Sequence, residues 1–194
     1  MEKLIGNKKI KIAVFISGKG SNLKNLIHHS YKKNSKFEVN LIISNNSKAK
    51  GLIYSEKHKI KKKIFKYSDK KFFEKKSLKE LKKNKINFIC LAGFMKILSK
   101  NFIKNFNGTI INIHPSLLPK YKGLNTHQRA LNNKEKYSGC TVHYVNSKLD
   151  SGKIILQKKV KIKKNETVKG LEKKVLKIEH NIYPIALNKI LSNF

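Results

Sequence analysis

Asn112 and His114 stand two residues apart in the segment Asn112-Ile-His-Pro-Ser116. At the end of a strand that spacing sends both side chains to the same side. A neutral amide donor beside an imidazole suits a reaction that builds an oxyanion while a proton moves near neutral pH. A histidine after a strand serves structure more often than chemistry, but an amide in register with it at a strand's carboxyl end, where open α/β sheets bind ligands, favours function. A second candidate is Gly18-Lys-Gly-Ser-Asn22. Its glycines permit positive φ and close approach of a ligand, and Ser21 as N-cap with the free amides of a helix start favours an anion, most naturally a phosphate. The segment lacks the third glycine of a dinucleotide fingerprint and matches no P-loop, so an ordinary glycine turn with a helix cap explains these residues equally well. Asp150, in Leu149-Asp-Ser-Gly152, is the third. Asp and Gly form turns routinely, and the carboxylate gains a chemical role only where the fold carries it to His114, whose imidazole it would orient and charge-stabilise.

These residues need elements to hold them. Lys11 to Ser17 is a short apolar run rich in branched residues, which predicts a strand. Gly18 and Gly20 break it before a helix opening at Ser21, with Leu23, Leu26 and Ile27 on one face. Further strands are predicted at Val39 to Ser44, at Ile64 and Phe65, at Ile86 to Ala92 and at Thr109 to Ile113, with helices over Lys48 to Lys57 and Phe72 to Asn84. Strands apolar on both faces and alternating with helices imply a doubly wound α/β architecture, a mostly parallel sheet covered on both sides. From Gly139 the pattern changes. Cys140 to Val145 and Lys153 to Ile162, joined by a short polar turn through Asp150, Ser151 and Gly152, predict an antiparallel pair at the end of the sheet. A last helix, Val168 to Leu191, is expected to break or kink at Pro184. The 194 residues, 39% of them hydrophobic, are expected to form a single domain over 1–194.

Charge says less than its size suggests. The net charge is +34, but the basic set is 44 lysines and one arginine, Arg129. Base readout favours the planar fork of arginine. Lys, Asn and Ile together supply 89 residues, as an AT-rich coding sequence would. A basic RNA-binding protein is the competing class. Glu56 to Lys85 holds 14 lysines against four acidic residues, whereas Gly108 to Gly152 holds five lysines and Arg129 against two. The charge therefore concentrates on a predicted outer helix, where aromatic residues do not alternate with the lysines in the way a single-strand stacking platform requires, and neither nucleic acid nor a membrane is expected as partner. Cys90 and Cys140 both lie in apolar runs, arguing against a disulfide framework or a paired-cysteine zinc site and for a reducing cytoplasm. Met1 to Gly6 meets Lys8 to Lys11 before any signal-peptide core forms, and no apolar run approaches spanning length.

Five blocks in order, VFISGKGSNL (14–23), LAGFMKILS (91–99), INIHPSLLPKYKGLNTH (111–127), TVHYVNSKLDSGKIILQ (141–157) and EHNIYP (179–184), resemble the folate-dependent phosphoribosylglycinamide formyltransferases of purine synthesis. The resemblance runs from about Lys11 to Pro184. It implies a Rossmann-like formyltransferase fold in which the amine of glycinamide ribonucleotide attacks the formyl carbon of 10-formyltetrahydrofolate, without a metal. Carried over by position, Asn112, His114 and Asp150 correspond to the catalytic trio. Gly20, Ser21 and Asn22 correspond to the ribonucleotide phosphate loop, and Glu179 to a contact on that substrate's sugar side. Met95, Lys96, Ile97 and Leu98, with Lys70 upstream and Asn112, correspond to the folate pocket. A monomer or homodimer is expected.

Three departures stand out. Asn125 occupies a position where relatives often have His, so a second imidazole near the site is expected to be absent. Lys70 and Lys96 replace arginines of some relatives and give up bidentate contacts while keeping charge. Lys19 takes the place of another polar residue, beside the expected phosphate. Methionyl-tRNA formyltransferase and formyltetrahydrofolate deformylase share parts of this pattern, and both are expected to carry a further domain.

Overall fold

The computed structural model describes residues 9–192; the segment Met1 to Gly6, read above for a signal peptide, lies outside them. One seven-stranded sheet runs in the order β3-β2-β1-β4-β5-β6-β7. Its strands are β1 (Ile10–Ile16), β2 (Phe37–Ser44), β3 (Lys61–Ile64), β4 (Phe88–Leu91), β5 (Thr109–His114), β6 (Tyr137–Tyr144) and β7 (Ile154–Lys161). The helices are α1 (Ser21–Ser30), α2 (Ile53–Lys57), α3 (Lys70–Lys83), α4 (Lys100–Asn105), α5 (Thr126–Asn132) and α6 (Val168–Leu191). β1 to β5 pair parallel, and β6 and β7 add antiparallel. This is the expected architecture.

Alternation along β1 explains its two covers. Ile12, Val14 and Ile16 pack on one face with Leu23 and Leu26 of α1 and Tyr183 and Leu187 of α6. Ala13 and Phe15 pack on the other with Phe73 of α3 and Phe102 of α4. Successive strand side chains point to opposite faces, so a run apolar throughout needs helices on both. β2 and β4 flank β1, and the chain reverses its lateral direction there, which leaves a crevice at the carboxyl ends of β1 and β4.

Several boundaries differ from the expectations. The third strand is Lys61–Ile64 and leaves Phe65 outside; it is an edge strand, where three lysines discourage pairing with another chain and an apolar pattern is not required. The Lys48 to Lys57 helix shrinks to a 3-10 turn at Lys50–Leu52 followed by α2. The connection between β6 and β7 spans 145–153 rather than a short turn. Helix α6 continues through Pro184. Proline cannot donate to the carbonyl four residues earlier, and that carbonyl, of His180, accepts instead from the Asn25 side-chain amide of α1.

Candidate active site

Asn112 and His114 end β5, and the register decides their company. Asn112 lies beside Leu91 of β4 and opposite His143 of β6. The amide nitrogen of Asn112 is 3.2 Å from His143 Nε2, and His143 Nδ1 is 2.8 Å from the carbonyl of Tyr144. A carbonyl only accepts, so Nδ1 carries the proton and Nε2 accepts from Asn112. Burial lowers the pKa of His143, which favours that neutral form. The amide of Asn112 is thereby held by one proton, leaving its second for a ligand oxygen.

Asp150 reaches the same point from the 145–153 connection. Its backbone is left-handed, φ 44°, a conformation Asp tolerates better than most residues. Its carboxylate lies 3.3 Å from His114 Nδ1 and 3.8 Å from His143 Nε2, and accepts from the Gly123 amide at 2.9 Å. His114 Nε2 sits 2.9 Å from the carbonyl of Tyr121. That contact requires a proton on Nε2, so Nδ1 is the nitrogen that exchanges a proton towards Asp150. The structure thus brings Asn112, His114 and Asp150 together, which their spacing alone does not do.

A groove of about 490 Å³ opens over these three residues and is lined by Met95, Lys96, Ile97 and Leu124 among others. Met95 is 65% exposed and Leu124 73%, so an apolar rim faces solvent beside the polar centre. Leu98 lines an adjoining recess of about 100 Å³ with Lys96, Ile97 and Asn112. Tyr67 holds this segment, donating to the Ile97 carbonyl at 2.9 Å while the Lys96 ammonium lies 5.0 Å from its ring centroid. Lys70 is the first residue of α3 and lines neither space. A larger cavity of about 740 Å³ involves Lys9, Glu38 and Lys61, at the amino ends of the strands and away from this chemistry.

His127 also lines the groove, with Nδ1 buried and unpartnered. Its pKa is lowered chiefly by burial and to a lesser extent by His114. The expectation that Asn125 leaves the site without a second imidazole is therefore corrected, since His127 and His143 both stand there. Both lie inside the five blocks, His127 in 111–127 and His143 in 141–157, but no spacing within those blocks singles either out as a site residue. The alternation in Thr141-Val-His143, paired antiparallel to β5, is the signal that would place His143.

The glycine loop meets α1 at the crevice. Gly20, not Ser21, is the N-cap, with φ 72°, and no side chain caps the helix. An added Cβ at Gly20 would lie 2.6 Å from Gly51 Cα, so the loop is built on two glycines in contact. The leading amides of α1 are left for an anion. Asn22 is buried and donates to Glu179 at 2.7 Å, while its own carbonyl oxygen is buried without a partner. Glu179, on α6, is pushed up to about 7 by burial. Phe15, Leu91 and Asn112 are register partners on adjacent strands. Side to side, two strand spacings, roughly 10 Å, therefore separate β1, whose end leads into the anion loop, from the trio on β5. Among the described residues no three His, Cys, Asp or Glu side chains group to hold a metal ion.

Residues 10–187 match the formyl transferase family. The crystal structure of phosphoribosylglycinamide formyltransferase from Brucella melitensis is similar at a TM-score of 0.90 and 41% identity, covering 95% of this chain and 96% of that one. The enzyme of that name from Anaplasma phagocytophilum gives a TM-score of 0.91 at 36% identity over 96% and 88% of the two chains. The Haemophilus influenzae phosphoribosylglycinamide formyltransferase is 38% identical over 91% of this chain and 85% of its own length. The human trifunctional purine biosynthetic protein adenosine-3 is 41% identical over 95% of this chain but 19% of its own, so the chain spans about a fifth of that relative. With the family matched across nearly all its described residues, the chain belongs to the formyl transferases.

Proposed function

We propose that this chain transfers the formyl group of 10-formyltetrahydrofolate to the amine of glycinamide ribonucleotide. The observation that carries the reading is the meeting of Asn112, His114 and Asp150 at a strand end, two strands from an uncapped helix start. That separation suits a phosphorylated sugar whose phosphate sits at Gly20, Ser21 and Asn22 and whose amine reaches the trio, with Glu179 beside the sugar. The apolar rim of Met95 and Ile97, with Leu98 in the adjoining recess, suits a flat folate ring, and Lys96 its anionic tail.

The attacking amine forms a carbon–nitrogen bond at the formyl carbon, and the carbonyl oxygen becomes an oxyanion. The free amide proton of Asn112 donates to it, and the positive charge of a protonated His114 stabilises it electrostatically. Asp150 holds the imidazolium and takes up the proton lost by the amine. Collapse of the intermediate breaks the bond to the folate nitrogen, which receives a proton by the same route.

Absorbance at the folate chromophore tests this. Loss of the formyl group is expected only when glycinamide ribonucleotide is present; loss in its absence would indicate a hydrolase instead. His114→Ala and Asp150→Ala should each reduce turnover by at least 10²-fold, on the order of one lost oxyanion donor, with the fold retained by circular dichroism. Wild-type turnover in either removes the assignment.

A further inference from the structure

Arg129 stands alone among 44 lysines. It lies on α5, exposed, and its Nη1 donates to the carbonyls of Lys122 at 2.7 Å and Leu124 at 3.4 Å. The same guanidinium lies over the Tyr121 ring, 5.2 Å from the centroid. Tyr121 is fixed at its far end too, donating its hydroxyl to Glu135 at 2.8 Å and accepting from Asn133 at 2.9 Å. The turn so held is conformationally demanding, with φ 56° at Tyr121 and 77° at Gly123. A left-handed backbone is disfavoured for a residue with a Cβ, so the turn relaxes unless its surroundings hold it.

Two backbone groups of this turn touch the proposed chemistry. The Tyr121 carbonyl accepts from His114 Nε2, and the Gly123 amide donates to Asp150. We propose that Arg129 is a positioning residue, bracing the Tyr121 to Leu124 turn so that one carbonyl sets the tautomer of His114 and one amide aims the carboxylate of Asp150. The proposal rests on the reading of His114 and Asp150 given above. Lysine does not substitute here. A planar guanidinium stacks on a ring while its edge donates to carbonyls in a fixed direction, whereas an ammonium is a compact, strongly hydrated point charge. Lysines lie over rings elsewhere, Lys96 over Tyr67 among them, but Arg129 covers a ring and also donates to two carbonyls from one planar group.

The test compares Arg129→Lys and Arg129→Ala with wild type. Both are expected to lower kcat about 10-fold, since displacement of a catalytic group by a fraction of an ångström already slows transfer, while KM for the ribonucleotide stays unchanged because its phosphate loop lies on α1. Millimolar guanidinium should restore turnover to Arg129→Ala and not to Arg129→Lys. In ¹⁵N-histidine spectra the Nε2 proton signal of His114 should move in both variants. Wild-type kcat in Arg129→Lys overturns the proposal, and so does an unmoved His114 signal. A wild type that transfers no formyl group defeats the proposed function instead, and the His114 spectra then still decide whether the brace exists.

Discussion

Glu179 is 7% exposed, bonded to Asn22, and raised to about 7 by burial. In the unfolded chain its carboxyl titrates near 4.5, so between 4.5 and 7 the folded protein holds a proton that the unfolded chain releases. Stability from this group is complete below 4.5 and is lost as pH rises through 7. His29, His127, His143 and His180 act in the opposite sense. Burial lowers each below 6.5, so they weaken the fold as pH falls below that value. The two windows overlap, and a single wild-type profile would hide both. The difference between wild type and Glu179→Gln isolates the carboxyl. Denaturant titrations from pH 4.5 to 7 should show wild type losing stability relative to the variant as pH rises, by about 1 kcal/mol per unit at its steepest. Parallel curves would mean that Glu179 ionises normally in the folded state. None of this is legible at Glu179 in the sequence. The residue types and two-residue spacing of Asn112 and His114 could be read there because one strand carries both, whereas the surroundings of Glu179 come from α1 and α6 together.

At the scale of elements, α1 and α6 are joined by a polar seam. Asn22 bonds Glu179, Asn25 bonds the His180 carbonyl, and His29 and Asn188 lie 3.1 Å apart. Residues three and four apart share a helix face, so Asn22, Asn25 and His29 make a stripe against α6. Pro184 was visible in the sequence as a helix breaker, but the donor that replaces its missing N–H lies far away on α1, and no local pattern reports it. Likewise the apolar runs of β1 and β4 announce buried strands, while the lysine-rich β3 hides one, because an edge strand needs charge more than an apolar face. The sequence does not announce α4 and α5 for a related reason: each is one or two turns long, with little room for periodicity. The seam makes a specific prediction. Asn25→Ala leaves the His180 carbonyl unpaired at a partly buried site and should destabilise the fold by about 1–2 kcal/mol, read as a lower denaturant midpoint at unchanged slope. A loss below a few tenths of a kcal/mol would show that water replaces Asn25 without penalty.

For the molecule as a whole, the question is what +34 does. Among the described residues four lysines pair with carboxylates: Lys62 with Glu56, Lys63 with Glu80, Lys120 with Glu135 and Lys174 with Glu166. The excess is therefore mostly unneutralised, and it has two opposed physical effects. Like charges on a compact surface repel, which weakens the folded state. The same field attracts anions, and both proposed substrates are anionic, one through a phosphate and one through carboxylates. Lys61 to Lys63 on β3 and Lys158, Lys159 and Lys161 on β7 also charge both edges of the sheet, where pairing between copies would otherwise start. Ionic strength separates these roles. Screening shortens the reach of surface charges from roughly 30 Å at 0.01 M salt to about 8 Å at 0.15 M. Raising sodium chloride over that range should raise Tm, because self-repulsion is relieved, while kcat/KM for the ribonucleotide falls, because steering is lost. Lys96→Gln, beside the groove, should reduce the salt dependence measured with the folate while leaving that of Tm nearly intact. If Tm and kcat/KM instead move together, the charge acts through the fold alone, and the surface field plays no part in bringing substrates to the site.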